Sequence, residues 1–364
     1  MKKVVLLVLL SLLLVLPARA QSIAEQEAGI LGAQTLTEGL DEEALERLGG
    51  VSPTAPADLA ASLWRLLTDA LHDVRTPLRD AAKTCGMLLA ATLLCSLCAQ
   101  LEPSLSAQAV RLGGALALTA ICAGGLRSMI GLAAGTLDRI GTFVTFLLPV
   151  LSAALSASGG MTSAAALYAG SMLFIDVLMR LIRSLLIPLT YAFTALSAAE
   201  CAVGGETLQR LRELTGWIIQ AALKGVMYVF TAYLSVTGLI AGSADAAAVK
   251  AASTALSTAV PVVGSILSGA AGTVLAGADI VRNYAGVFGL LAILATGLAP
   301  FCRIGVHYLA LKLTAAVGGT MQCGGLGGLL SNLSAAMGYM LAMTGCAALM
   351  ALLSTCWFMK AVRL

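Results

Sequence analysis

Long apolar runs follow one another along most of the chain, with short polar stretches between them. Most runs approach the length of about 20 residues with which an α-helix crosses a bilayer. The alternation expected of barrel strands is absent, and backbone groups in lipid must be hydrogen-bonded within their own segment. We therefore predict an all-α, polytopic integral membrane bundle of about seven to ten apolar helices. The runs are residues 84–101, 112–134, 140–157, 161–179, 184–204, 216–241, 259–281, 285–302, 304–321 and 335–358.

The beginning of the chain has the pattern of a secretion signal. Lys2 and Lys3 precede a short apolar stretch, and Ala18-Arg19-Ala20 places small residues at the two positions that a signal peptidase reads. We predict a signal peptide over residues 1–20, with an uncleaved anchor helix as the alternative. In either case the following segment emerges on the exoplasmic side.

An acidic segment separates this signal from the first long apolar run. Within residues 21–83, seven of the eight charged residues before residue 57 are Asp or Glu, and the second half, from Asp58 to Lys83, has apolar residues at helical spacing. We predict a short exoplasmic segment that ends in an amphipathic helix. This helix either lies on the membrane or on its own protein, or docks an exoplasmic partner. Residues 84–364 then form the transmembrane helical domain.

Composition supports the membrane assignment. The chain is 59% hydrophobic and only 11% charged, whereas soluble domains have roughly 25% charged residues. A soluble fold of this size could not bury such an excess of apolar surface. The formal net charge of +3 is small and scattered, so we expect no nucleic acid partner.

A few ionisable residues lie within or beside the apolar runs. A charge at the centre of a bilayer costs a few kcal/mol, about 3 on insertion scales, so such residues tend to face the bundle interior, a water-filled path or a subunit contact. Asp279 precedes Arg282 by three positions, so the two can pair on one helix face. The group either forms structural pairs near helix ends or lines a hydrophilic path or assembly interface. The candidates are Asp176, Glu200, Lys224, Asp279 and Arg282.

Small residues recur at intervals of four after a proline turn. This spacing places them on one helix face, where another helix backbone can approach closely. We predict a helix-packing interface there, formed within the chain or with a partner. The candidate residues are Pro261, Gly264, Ser268, Gly272 and Ala276. A second cluster of glycines, over residues 318–334, indicates a flexible or re-entrant loop.

No constellation for catalysis or cofactor binding is visible. The two histidines, His72 and His307, are far apart and have no partner at ligand spacing, so we expect no metal site. The glycines at 324–328 lack the Lys-Ser/Thr of a phosphate-binding loop, and Gly-x-Ser-x-Gly is absent. Cys95 and Cys98 lie in an apolar helix, where they are expected to be small buried hydrophobes. We predict a non-enzymatic protein without a cofactor.

Two stretches resemble a known family. One runs from Phe143 to Leu151 and continues to Ala157-Ser158-Gly159-Gly160, and the other runs from Asp245 to Gly289 around Pro261-Val262-Val263-Gly264. Together with the signal, the acidic segment and the many spans, they are similar to the stage III sporulation protein AE family. The resemblance covers essentially the whole chain and is weakest before residue 100.

The resemblance implies a function as well as a fold. Members of this family are expected in the mother-cell membrane around the engulfed forespore, in a complex with the other stage III sporulation AA-to-AH proteins. One of those, a separate ATPase, would supply energy, and stage II sporulation protein Q would meet the complex from the forespore side. Such a channel or secretion-like apparatus sustains late forespore gene expression. The alternative from the residues alone is a stand-alone secondary transporter or permease that uses Asp176, Glu200 and Asp279 as ion sites.

Overall fold

In the computed structural model the chain is a bundle of α-helices, and no strand occurs among the residues that the structure describes, which are 28–101, 107–259, 264–320 and 325–361. The signal peptide predicted over residues 1–20 lies outside these residues. After a short 3₁₀ turn at Ala33–Thr37, the helices are α1 Glu42–Leu48, α2 Leu59–Asp73, α3 Arg75–Leu101, α4 Ala107–Ala157, α5 Met161–Leu181, α6 Ile187–Val203, α7 Glu206–Ala259, α8 Gly264–Gly319 and α9 Leu326–Lys360.

The prediction of an all-α, polytopic membrane bundle is confirmed. Five helical stretches among the described residues are long and apolar enough to cross a membrane. They are Leu59–Cys98, Ala109–Ala157, Glu206–Asp245, Leu275–Gly319 and Leu326–Lys360. The helices α8 and α9 make the most extensive contacts, and α4 packs against both at the centre of the bundle.

Several apolar runs that the sequence pattern separates belong to one helix. The runs 112–134 and 140–157 both lie in α4, because the residues between them, Gly135 to Arg139, contain no proline and continue the helix. Three further runs join in α8 in the same way. A continuous helix crosses a bilayer once, so joined runs are not separate crossings. The protein therefore has fewer and longer helices than the runs suggest.

Proline modifies these long helices without ending them. Pro149 lies inside α4 and Pro300 inside α8. Pro188 stands at the start of α6, directly after a π-helical turn at Ile182–Leu186 that links α5 to α6. Since proline lacks an N–H and its ring crowds the carbonyl four residues earlier, the widened turn is the expected local adjustment.

The acidic segment packs on the bundle at its described residues. Asp58 caps α2 by accepting hydrogen bonds from the backbone N–H groups of Ala60 and Ala61, at 3.0 and 3.2 Å. One face of α2 contacts α8, while Trp64 on the opposite face is 71% exposed. The helix predicted between Asp58 and Lys83 is thus divided at Val74, and position 83 lies inside α3.

Glycines bring the end of α8 and the beginning of α9 into close contact. The interpretation of 318–334 as a loop is wrong for residues 326–334, which form the first turns of α9. A Cβ atom on Gly327 would lie 2.8 Å from the Cα atom of Gly319. Glycine is needed at this position because the backbones of α8 and α9 are in direct contact.

Candidate functional site

Each acidic residue among the predicted intramembrane group has an arginine partner. Asp176 pairs with Arg180 at 2.8 Å. Glu200 pairs with Arg212 at 2.6 Å, and Asp279 pairs with Arg282 at 2.9 Å. Lys224 differs, since it lies on the exposed face of α7 and forms no ion pair with any described residue.

Arg282 is the largest fully buried side chain of the described residues, with 1% of its surface exposed. Its Nη1 atom donates a hydrogen bond to the hydroxyl oxygen of Ser158 at 3.2 Å. Ser158 directly follows the last residue of α4, so the guanidinium lies where the helix dipole favours a positive charge. A cation from α8 thereby holds the end of α4.

Asp245 holds the beginning of the next helix. Its carboxylate oxygens accept hydrogen bonds from the backbone N–H groups of Thr162 and Ser163, at 3.0 and 2.8 Å. These are free donors in the first turn of α5, and an anion there is favoured by the helix dipole. Asp245 is 2% exposed, so an anion from α7 is buried against the start of α5.

We call this arrangement the turn clamp, formed by Arg282 and Asp245 around the α4–α5 turn. The turn requires glycine, because Gly159 has a φ of 96°. Two oppositely charged residues from α7 and α8 fix two helix ends that are adjacent in sequence. The two stretches that resemble the sporulation family meet here, since one contains Ser158 and the other contains both charges.

Sequence reasoning singled out Arg282 but did not select Asp245. A lone Asp in an alanine-rich stretch gives no sign of the helix end that it will cap. The cap joins positions 82 and 83 residues apart, and nothing local to Thr162 or Ser163 demands it. The sequence did contain one sign. A charged residue stands within an apolar segment, and its burial costs free energy unless it finds a partner.

A second set of charged residues lies within the long helices, away from their ends, and we call it the polar belt. It comprises Asp138 and Arg139 of α4, Arg180 of α5, Arg183 of the π-helical turn between α5 and α6, and Arg303 of α8. Asp138 pairs with Arg183. Arg139 pairs with Asp41 of the acidic segment at 2.7 Å, so the belt also anchors that segment.

The polar belt lies at a constant distance from the turn clamp. Arg139 and Ser158 are 19 positions apart, which is about 29 Å of helix, and Arg282 and Arg303 are 21 positions apart, which is about 32 Å. Residues 140–157 and 283–302 between them contain no charged side chain. In α4 and α8 this uncharged layer therefore has the thickness of the hydrocarbon core of a bilayer, about 30 Å.

The opposite end of the bundle carries the Glu200 cluster. Arg212 bonds Glu200 and also donates to the side-chain oxygen of Asn332 at 3.3 Å. A cavity of about 420 Å³ adjoins these residues and is also lined by Arg111 and Gly328. The side chains of the ion pair are 16% and 23% exposed, so water reaches this pair more easily than it reaches the turn clamp.

The predicted helix-packing face is described only in part. Pro261 lies outside the described residues. Gly264 is the first residue of α8, and Ser268 and Gly272 lie in its first turns. Ala276 is exposed, so the last residue of the predicted face is free to contact another chain.

Metal binding finds no support among the described residues, where no group of three or more His, Cys, Asp or Glu side chains could hold an ion. The cysteines of this part of the chain form no disulfide with one another.

The chain is similar in sequence to proteins of one known family. A family model with the description Stage III sporulation protein AE matches residues 56–361. The stage III sporulation protein AE of Bacillus subtilis (strain 168) is 24% identical over 188 residues, which are 52% of this chain and 47% of that protein. The matched part of the chain thus spans about half the length of this curated relative. No solved structure matches the chain.

Proposed function

The chain belongs to the stage III sporulation protein AE family, and we propose that it is a non-enzymatic membrane subunit of a channel or secretion-like complex between mother cell and forespore. Its place would be the mother-cell membrane that surrounds the engulfed forespore. The complex would sustain late forespore gene expression. A role in sporulation follows from the family itself, and the assembly is the proposal.

The partners proposed for this subunit are the other stage III sporulation AA-to-AH proteins, with a separate ATPase among them. Stage II sporulation protein Q would contact the complex indirectly, from the forespore side, and membrane lipid would surround the apolar helices. The single observation that carries the proposal is the family match over residues 56–361. It is supported by the five long apolar helices of the described residues, which suit a membrane-embedded subunit.

Deletion in the spore-forming host tests the proposal. We expect development to stop after engulfment, with the loss of heat-resistant spores and of late forespore reporter expression. A plasmid-borne copy should restore both. A normal yield of heat-resistant spores from the deletion strain would contradict the proposal.

The alternative of a stand-alone secondary transporter predicts a different result. Its proposed ion sites, Asp176, Glu200 and Asp279, each form an ion pair with an arginine, which lowers their suitability as free proton carriers. Gradient-driven solute uptake by the purified protein alone in liposomes would favour the transporter. The subunit proposal predicts no such uptake without its partners.

The small-residue face at the start of α8 is our proposed assembly contact. We expect Gly272→Leu to reduce recovery of the complex, because a close helix contact cannot accommodate the larger side chain. The matched control is Gly319→Leu, at the far end of α8, where a Cβ atom would meet nothing within 4 Å. Equal recovery of partners with both variants would contradict an interface at Gly272.

A further inference from the structure

A water-accessible cavity lies where the acidic segment meets the polar belt. Its volume is about 490 Å³, and its walls come from α1, the junction of α2 and α3, α4, and α8 beside Pro300. Four arginines line it, together with His72 and two carboxylates. The arginines are Arg47, Arg75, Arg139 and Arg303.

Two of these arginines are neutralised by the acidic segment. Arg47 pairs with Glu43 and Asp73, both at 3.0 Å. Arg139 pairs with Asp41 at 2.7 Å and more weakly with Glu43 at 3.4 Å. Both carboxylates that line the cavity, Glu43 and Asp73, are used in these contacts, and Asp41 is used as well.

The other two arginines face the cavity without such partners. Arg75 and Arg303 form no ion pair with any residue in the described part of the chain, and both are exposed. Against the three carboxylates Asp41, Glu43 and Asp73, the four arginines leave one positive charge in excess when His72 is neutral. A ligand with one negative charge would balance the site.

We propose that this cavity binds a phosphate-bearing anion, held by Arg75 and Arg303. The planar guanidinium offers paired N–H donors that match phosphate oxygens. A phosphodiester carries a single negative charge, which equals the excess. The group can be the headgroup of an anionic phospholipid or free phosphate, since both present the same oxygens.

The position of the cavity favours the lipid source. Arg139 and Arg303 lie about 30 Å along their helices from the turn clamp, across the uncharged layer. If that layer occupies the hydrocarbon core, whose thickness is also about 30 Å, the cavity opens at the level of the headgroups. The acidic segment would then rest on the membrane surface beside a bound lipid.

The test uses the full-length protein purified in a non-ionic detergent, the wild type beside Arg75→Gln/Arg303→Gln. The control is Arg210→Gln, which alters an exposed arginine that pairs with Glu206 at the opposite end of the bundle. In the first arm, phosphatidylglycerol is added and the lipid retained per protein is measured by native mass spectrometry. In the second arm, the melting temperature is compared in inorganic phosphate and in chloride at equal ionic strength.

We expect the wild type and the control to retain phosphatidylglycerol, and the double variant to lose about tenfold or more in affinity. Protection by inorganic phosphate without lipid retention would assign the site to free phosphate. Equal binding by the double variant and the wild type in both arms, or no binding by the wild type in either, would overturn the proposal. Arg303→Gln alone, at an exposed position, provides a second variant should the double variant fold poorly, and it should lose part of the affinity.

Discussion

The turn clamp and the Glu200 cluster lie at opposite ends of the same bundle and use charge in different ways. In the clamp, Arg282 and Asp245 are almost completely buried. Arg282 binds Ser158 at the end of α4, and Asp245 binds the first turn of α5. In the cluster, Glu200 and Arg212 stand beside a cavity of about 420 Å³. A charge within an apolar bundle can thus either join two helix ends or form part of a hydrated surface.

The energetic consequences follow from burial. Removing one partner of a buried charge pair leaves an uncompensated charge and costs about 3–5 kcal/mol, whereas an exposed pair contributes about 0.2–1 kcal/mol. The comparison therefore predicts unequal responses to mutation at the two ends.

The largest effect is expected for Arg282→Ala. Loss of the guanidinium leaves the end of α4 without its donor and opens a void, while Asp279, whose side chain is 49% exposed, loses its partner, so the free energy of unfolding should fall by about 2–5 kcal/mol. The measurement is unfolding in mixed micelles followed by circular dichroism. Arg180→Ala is the control, because its ion pair is exposed, and it should cost no more than about 1 kcal/mol. Equal losses for the two variants would remove the distinction between buried and exposed charges.

Gly327→Ala should rank second. The added Cβ would meet the backbone of Gly319 at 2.8 Å, and a backbone atom cannot rotate away, so overpacking should cost about 1–3 kcal/mol. Gly328→Ala is a matched control one residue later, where a Cβ would meet nothing within 4 Å. The control should be neutral or stabilise by up to about 1 kcal/mol, since alanine favours helix. A stabilising Gly327→Ala would show that α8 and α9 are further apart.

Asp245→Ala tests the other half of the clamp. Loss of the carboxylate leaves the N–H groups of Thr162 and Ser163 without acceptors, and removal of a helix cap costs about 0.5–2 kcal/mol. Hydrogen exchange should accelerate first at these two amides. Asp245→Asn retains an acceptor oxygen and should show a smaller effect, and identical exchange in all three proteins would contradict the cap.

The smallest effect is expected for Glu200→Gln. The side chains of Glu200 and Arg212 are 23% and 16% exposed, and the amide oxygen of glutamine can still accept the hydrogen bond from Arg212, so the loss should be about 1 kcal/mol. Added salt should reduce the difference between this variant and the wild type. A salt-independent loss of several kcal/mol would mean that the Glu200 cluster behaves like the turn clamp.

Sequence reasoning identified the class of fold because apolar runs of membrane length leave few other structures possible. It did not identify the lengths of the helices. Residues 135–139 and Arg303 interrupt the hydropathy of α4 and α8, yet a charged or small residue does not break a helix whose backbone remains hydrogen-bonded. Hydropathy indicates whether a segment is surrounded by lipid or by water. Whether a helix continues depends on its backbone hydrogen bonds.

The candidate site was predictable to the extent that its contacts are local. Asp279 and Arg282 are three residues apart, and their pairing follows from helix geometry. The contact between Arg282 and Ser158 joins residues 124 apart, and it depends on how α4 packs against α8. Without the tertiary arrangement, the buried arginine could be named but its partner could not.

Isolation of the native assembly tests directly whether this chain is a subunit of a sporulation complex. A tagged copy of the chain is purified from membranes of sporulating cells, and its partners are identified and quantified by mass spectrometry. If the chain is a subunit of this complex, we expect several stage III sporulation AA-to-AH proteins to be recovered in fixed ratios and Gly272→Leu to lower their yield. Recovery of the folded chain alone, from cells in which those proteins are present, would contradict it.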